Sequence, residues 1–325
     1  METILIILKQ IIIMFILALI GYIMFKRKKI SIEGSKTIGN ILIYLSLPCV
    51  IINSFLVEKT TERLTSLLIS ALLAAIILVL SALISRLVLG KNAIDNFAGS
   101  FSNPGFFGIP IITACIASDA VFYVAAFIAF LNMGQWTYGV WLLNNSDDNG
   151  ILIDKQYRTK QINNENKVIS FILKLLKAPF MVAIIIGLFF FLTGISMPEI
   201  PAKCINFIAN LNTPLAMFTV GIYMAQVDIK KMFSKLSLYK VALVRMIIAP
   251  IASILVMCLV PSEFVALKMA VLIAAACPVG SNVAVYAGLH DKDYAYAVET
   301  VVISTILSII TMPLMVTLAN ALWVN

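Results

Sequence analysis

Charged residues are scarce in this chain of 325 residues. Asp, Glu, Lys and Arg make up 12% of it, histidine occurs once, and 61% of the residues are hydrophobic. Soluble globular proteins are about 25% charged and 45–50% apolar, so an ordinary water-soluble enzyme is excluded. A single histidine without an HExxH or GxSxG motif also leaves no catalytic set for an intramembrane enzyme. We therefore predict that the chain is not an enzyme.

Metal-binding and nucleic-acid-binding patterns are missing as well. The five cysteines show no CxxC spacing, so we predict neither a disulfide framework nor a metal or other cofactor. A net charge of +8 would indicate nucleic acid in a soluble protein, but here the basic residues lie in short connections between apolar runs. The positive-inside rule explains that pattern better. We predict no nucleic-acid partner and a lipid bilayer as the surroundings.

Long apolar runs are what the sequence has in abundance. Each is long enough to cross a hydrocarbon layer of ~30 Å at 1.5 Å per residue, which predicts an all-α polytopic membrane protein with ten transmembrane helices. The predicted helices begin near Thr3, Ser35, Leu64, Ile94, Ala120, Val168, Ala202, Ser237, Phe264 and Asp293. With the N-terminus outside, 18 of the 24 Lys and Arg residues are cytoplasmic, five are outside and Arg245 lies within a span. We predict a bacterial-type cytoplasmic membrane with both termini outside.

The ten predicted helices fall into two sets of five. We divide the chain into a first five-helix repeat over 1–145, a cytoplasmic linker over 146–167 and a second repeat over 168–325. Three residue pairs have similar separations, 174, 174 and 166 residues: Pro104 and Pro278, Asp119 and Asp293, Pro48 and Pro214. Because five is odd, the second set is inverted in the membrane, and inverted repeats are typical of secondary transporters. A chance alignment of prolines is the alternative.

The fourth and ninth helices each contain a break. The fourth carries two prolines and two glycines within 104–110, and the ninth carries a proline and a glycine within 276–282, which makes a regular helix costly. Unwound backbone at membrane depth is tolerated where it lines a cavity, and helix N-termini favour anions. We predict substrate binding at Asn103, Pro104, Gly105, Pro278, Gly280, Ser281 and Asn282. The alternative is a pair of kinks that only shape helix packing.

Ionisable residues inside a span are costly, roughly 2.5–3.5 kcal/mol each or more, and are therefore functional candidates. Arg245, in the eighth helix, is a candidate for anion binding, for pairing with Glu299, or for reaching the lipid headgroups. Glu299, in the tenth helix, is a candidate coupling carboxylate or a structural partner of Arg245 or Lys292. Asp119 and Asp293 each stand where a helix is predicted to begin, which favours N-capping.

Four motifs resemble those of the auxin efflux carrier family, which includes bacterial malate-permease-like carriers and the plant PIN carriers. Asn103, Gly105, Phe106, Gly108, Ile109 and Pro110 resemble the family's Asn-x-Gly-φ-φ-Gly-φ-Pro element, in which φ is apolar. The other three are Ser46–Pro48, Lys177–Pro179 with Gly187, and Ser304–Pro313. The four occur in the family's order and cover nearly the whole chain.

This resemblance implies a carrier with crossed, broken fourth and ninth helices, as in sodium/proton antiporters and bile-acid carriers. Helices 1, 2, 6 and 7 would form a scaffold, the other six a transport unit, and the carrier would be a homodimer. By the same resemblance Asn103 would contact a carboxylate and Asn132 of the fifth helix would line the site. Pro104 departs from the small polar residue that is usual in the family, and the central loop is shorter than in the long plant carriers.

These observations predict a secondary transporter, an efflux carrier or permease, for small organic carboxylates of malate, malonate or auxin type. An elevator-type movement would give alternating access. A sodium- or proton-coupled symporter or antiporter is the alternative, although no acidic residue lies near Pro104 or Pro278. Because the sequence places no charge at the crossing, we expect helix ends, backbone N–H groups and amides to recognise the anion. The composition also permits a receptor or channel, but the paired breaks argue against both.

Overall fold

The computed structural model describes residues 2–147, 151 and 176–323, and these ranges are almost entirely helical. Nine of the ten predicted helix starts lie within three residues of an observed one. The tenth, Val168, and nearly all of the predicted linker lie outside the described residues. Within the described ranges, six helical segments are long and apolar enough to cross a membrane: Thr3–Lys26, Ile32–Phe55, Thr61–Leu89, Glu199–Gln226, Leu236–Met257 and Tyr294–Trp323.

The first part of the chain holds eight α-helices and three π-helical turns. The α-helices are α1 (Glu2–Lys26), α2 (Ile32–Ile41), α3 (Leu47–Phe55), α4 (Thr61–Leu89), α5 (Ala93–Ser100), α6 (Ile109–Cys115), α7 (Val121–Gly134) and α8 (Val140–Asn144). The π-helical turns cover Leu42–Ser46 between α2 and α3, Pro104–Gly108 directly before α6, and Gln135–Gly139 between α7 and α8. The predicted fourth span is therefore two helical pieces separated by residues 101–103.

The second part holds nine described α-helices. They are α9 (Pro179–Thr193), α10 (Glu199–Ala209), α11 (Asn212–Gln226), α12 (Ile229–Phe233), α13 (Leu236–Leu243), α14 (Ala249–Met257), α15 (Val265–Ala276), α16 (Asn282–Leu289) and α17 (Tyr294–Trp323). A π-helical turn over Val244–Ile248 joins α13 to α14. The predicted ninth span is again two helices, α15 and α16, separated by residues 277–281.

Side-chain caps define several of the helix starts. Thr60 and Asn92 accept hydrogen bonds from the backbone N–H of Arg63 and Asp95, three residues along. Asp293 likewise accepts from the N–H of Tyr296 at 2.9 Å, which confirms its predicted capping role. The same prediction for Asp119 is wrong. A 3₁₀ turn over Ser118–Ala120 precedes α7, and the Asp119 carboxylate instead pairs with Arg63 at 3.2 Å.

The helices pack mainly within two groups. In one, α1 lies along α11, α2 contacts α11, and α3 contacts α9 and α10; in the other, α4 to α8 and α13 to α17 pack together. Small residues allow the closest approach in the first group. A Cβ atom on Gly221 would meet the carbonyl of Ala18, and one on Gly21 would lie 2.4 Å from the carbonyl oxygen of Phe218. Backbone contact of this kind is typical of membrane helix pairs.

The outer surface of both groups is apolar. Leu5, Ile12 and Ile16 of α1, and Leu68 and Leu87 of α4, are each more than half exposed. Exposed apolar surface of this extent is costly in water and indicates contact with a membrane. The described chain is therefore an integral membrane protein, and several of its buried polar residues lie where the broken helices meet.

Candidate functional site

The two breaks contact each other in the middle of the molecule. Ser102 and Val279 form an isolated antiparallel bridge, and the N–H of Gly280 donates to the carbonyl of Phe101 at 3.0 Å. The N–H of Val279 donates to the hydroxyl of Ser304 on α17, also at 3.0 Å. These bonds satisfy backbone groups that the breaks remove from their helices, as buried backbone requires. The two predicted breaks are thus present and joined to each other.

Glycine is required at one point of this contact. A Cβ atom on Gly280 would lie 2.8 Å from the carbonyl oxygen of Ser102 and 3.4 Å from that of Phe101. The first of these distances is closer than van der Waals packing allows, so a side chain at position 280 would push the two breaks apart. Gly280 was predicted at the site from sequence. In the structure, its missing side chain lets the backbones of the two breaks contact each other.

A small, buried pocket lies at the meeting point, with a volume of about 30 Å³. It brings together seven of the eight residues predicted from the breaks and the resemblance, since only Pro278 does not line it. Its lining consists of Leu47, Ser102, Asn103, Pro104, Gly105, Phe106, Ile128, Leu131, Asn132, Gln135, Gly280, Ser281 and Asn282. About 30 Å³ is room for roughly one or two water molecules. The described conformation is therefore closed around its polar groups.

The polar side chains of the pocket are hydrogen-bonded to one another across the crossing. Asn103 donates from Nδ2 to the hydroxyl of Ser281 at 3.0 Å, and Asn282 donates from Nδ2 to Oε1 of Gln135 at 2.8 Å. Asn132 donates within its own helix, to the carbonyl of Ile128. Each asparagine NH2 group has two hydrogens, and these bonds use only one of them. The pocket can therefore offer several neutral donors to an anion.

Gln135 lines the pocket and was not predicted from sequence. Its side chain is 1% exposed and joins the fifth predicted span to the ninth through Asn282. A signal was present, because Gln135 follows Asn132 by three residues in an otherwise apolar run, and residues i and i+3 share a helix face. Two amides on one face of a membrane helix indicate a common polar surface.

Two helix N-termini lie at the pocket. The π turn that begins at Pro104 opens the second half of one broken helix, and α16 begins at Asn282, the second half of the other. The first N–H groups of a helix have no partner within it and carry partial positive charge. The carbonyl of Asn103 accepts hydrogen bonds from the N–H groups of Phe107 and Gly108 at 3.0 and 3.2 Å. These are the first backbone hydrogen bonds of the π turn.

Arg245 also reaches the crossing. The guanidinium is 1% exposed and donates to the carbonyls of Gly99 and Ser100, at 3.2 and 3.0 Å, and to that of Ala275. It therefore neither reaches the headgroups nor pairs with Glu299. The expectation that no charge stands at the crossing is also wrong, because Arg245 lies in a π-helical turn of the eighth span that contacts both broken helices.

Glu299 is held by a different cation. Lys235, just before α13, donates to its Oε2 at 2.5 Å, and neither Arg245 nor Lys292 pairs with it among the described residues. Next to this pair, the hydroxyl of Tyr296 donates to Oδ1 of Asp95 at 2.7 Å. Lys235 begins the helix that packs on α17, so its contact with Glu299 is set by tertiary structure. Glu299 thus belongs to a polar cluster between α5, α13 and α17.

A second polar cavity, of about 210 Å³, lies between the two packing groups. It is lined by Val50, Asn53, Ser54, Ile109, Thr113, Val121, Asn206, Ala209, Asn210, Asn212 and Thr213. Asn212 connects it to the crossing, because its Nδ2 donates to the carbonyl of Gly105 at 2.7 Å. The Oδ1 atom of Asn212 is buried and has no hydrogen-bond partner among the described residues. We call this cavity the vestibule.

Comparison with known proteins gives one match. A family model described as membrane transport protein matches residues 6–316, nearly the whole chain. No curated protein sequence matches the chain. Within the described ranges, no group of three or more His, Cys, Asp or Glu side chains is placed to hold a metal ion. The match identifies the chain as a membrane transport protein.

Proposed function

Because the chain belongs to the auxin efflux carrier family of membrane transport proteins, we propose that it is a secondary carrier of small organic carboxylates. The observation that carries this proposal is the pocket where the two broken helices meet. Amides, a hydroxyl and two helix N-termini meet at this pocket. Arg245 donates a hydrogen bond to the backbone next to the pocket.

The charge at the crossing favours an anion. The pocket lining contains no Asp or Glu, and the hydrogen-bond partners of Arg245 are neutral carbonyls. A carboxylate would add the negative charge that this region lacks, accept from Asn103 and Asn282, and lie against the helix N-termini. A cation would meet a fixed positive charge instead. Charge therefore selects the substrate class, and the apolar lining from Leu47, Ile128 and Leu131 would contact its carbon chain.

The closed pocket calls for a conformational change. About 30 Å³ does not admit a carboxylate of several heavy atoms, whereas the adjacent vestibule is several times larger and lies between the two packing groups. In our proposal α1, α2, α3, α9, α10 and α11 form a static scaffold, and the remaining helices move against it as an elevator. The hydrogen bond from Asn212 to the carbonyl of Gly105 crosses this boundary and would break and reform in each cycle.

We further propose ten spans in two inverted sets of five, and a homodimer joined through the scaffold. Both termini would lie outside a bacterial-type cytoplasmic membrane. The paired breaks support the repeat. Each lies between two helical pieces, and each second piece opens at the pocket. The vestibule would then face outward, since it lies on the side of the crossing toward Thr113, near the end of the fourth span.

Uptake by proteoliposomes tests the proposal. Purified protein would be reconstituted and assayed with radiolabelled malonate, malate and indole-3-acetate, with protein-free liposomes as the blank. We expect uptake of at least one probe, and a loss in Asn103→Ala of roughly 10- to 100-fold, the size of one charge-assisted hydrogen bond.

Asn320→Ala is the matched control, because this half-buried amide on α17 lines neither the pocket nor the vestibule. It should transport like the unaltered protein. If no probe enters the liposomes above the blank, carboxylate transport is excluded for this panel; equal uptake by Asn103→Ala would remove Asn103 from the site.

A further inference from the structure

Three backbone carbonyls converge where the first halves of the two broken helices end. Gly99 and Ser100 are at the end of α5, and Ala275 is at the end of α15. Their oxygens all accept hydrogen bonds from the guanidinium of Arg245. The last carbonyls of a helix have no partner within it and carry about half a negative charge in sum. Two such ends therefore form a negative cluster at the crossing.

A cluster of this kind is a cation site by its chemistry. Carbonyls at the ends of discontinuous membrane helices are the groups that hold Na⁺ in secondary transporters, and oxygen ligands suit hard cations. In this chain the position is filled by a side chain. Arg245 is 1% exposed, and its charge is permanent because guanidinium does not lose its proton in proteins.

The acidic residues that face this region are engaged elsewhere. Asp95 accepts from the hydroxyl of Tyr296, and Glu299 pairs with Lys235. Among the described residues, no carboxylate lies within ion-pair distance of Arg245. The positive charge at the crossing is thus compensated by helix-end carbonyls alone.

We propose that Arg245 is a tethered cation that occupies the cation position of the crossing, so that binding of the carboxylate does not require Na⁺. This inference rests on the proposed carboxylate function and deepens it, because it assigns the charge of the site to the protein itself. Arg245 acts as a positioning residue: it holds the ends of α5 and α15 together and supplies the positive charge that favours an anion in the adjacent pocket.

The first test needs no variant. Binding of malonate, malate and indole-3-acetate to the purified protein would be measured by thermal shift and by equilibrium dialysis, with Na⁺ replaced by choline at constant ionic strength. We expect the same affinity in both salts. An affinity that rises tenfold or more with Na⁺ would overturn the inference, and the absence of binding in either salt would count instead against the proposed function.

The second test removes the tethered charge. Arg245→Ala should bind the carboxylate roughly 10- to 100-fold more weakly, and guanidinium at about 10 mM, far below denaturing molar concentrations, should restore much of that loss. Na⁺ should now strengthen binding as well, because the carbonyl cluster is open. A purely structural role for Arg245 predicts no rescue by either cation.

Arg86→Ala is the matched control. Arg86 also donates to a backbone carbonyl at the end of a helix, that of Gly90 at 2.6 Å, but on the exposed end of α4. Its removal should leave binding unchanged and insensitive to guanidinium. Should Arg245→Ala fail to fold, Arg245→Lys keeps a charge in place; full Na⁺-independent binding by Arg245→Lys supports the inference, and Na⁺-dependent binding contradicts it.

Discussion

Gly280→Ala tests the contact between the two breaks. The added Cβ would lie 2.8 Å from the carbonyl oxygen of Ser102, whereas ordinary contacts are 3.4–4 Å. Because the obstacle is backbone, the breaks must separate by several tenths of an ångström. That movement stretches the 3.0 Å hydrogen bond from Gly280 to Phe101. Overpacking of this kind costs about 1–3 kcal/mol, so we expect a Tm several degrees lower and carboxylate uptake reduced about tenfold or more.

Gly288→Ala is the control for this variant. Gly288 lies on α16, eight residues along the same broken helix, and a Cβ there would meet its nearest neighbour, Tyr294, at 3.6 Å. Alanine should raise the Tm slightly, since it is favoured over glycine in a helix by about 1 kcal/mol or less. A Gly280→Ala protein with unchanged Tm and uptake would refute the close backbone approach described above.

Three further perturbations address other parts of the site. Gln135→Ala and Asn282→Ala should be non-additive in carboxylate affinity, with a coupling of about 0.5–3 kcal/mol by double-mutant cycle. Glu299→Gln should lower stability by only about 1 kcal/mol in thermal denaturation, because Lys235 can turn to solvent. Burial lowers the pKa of His290 below its ordinary value of 6.5, so its protonation destabilises the fold as pH falls; His290→Asn should remove that contribution and leave transport at pH 7–8 unchanged.

The sequence predicted the broken helices because proline and glycine act locally. Pro104 and Pro278 remove backbone donors wherever they stand, so each break could be read without knowing its neighbour. Most of the predicted site residues then lie together, because both breaks meet at one pocket. Pro278 is the exception, since it does not line the pocket.

Arg245 could not be placed from sequence. Its position in the eighth span left anion binding, pairing with Glu299 and contact with the lipid headgroups all open. The π-helical turn over Val244–Ile248 that contains it was not predicted from sequence. Its partners are backbone carbonyls, which every residue has, so no residue pattern identifies them. The pairing of Glu299 with Lys235 was missed for a related reason, because it joins elements 64 residues apart.

Direct measurement of carboxylate binding at Asn103 tests the central claim. The amide donates to Ser281 inside the pocket and is 6% exposed, and Asn103→Asp keeps its shape while replacing a donor by a negative charge. In a thermal-shift titration, a ligand that binds the folded state raises the Tm with concentration. We predict that malonate, malate or indole-3-acetate raises the Tm of the unaltered protein and of Asn320→Ala but not of Asn103→Asp. An equal rise in Asn103→Asp would contradict carboxylate recognition at the crossing.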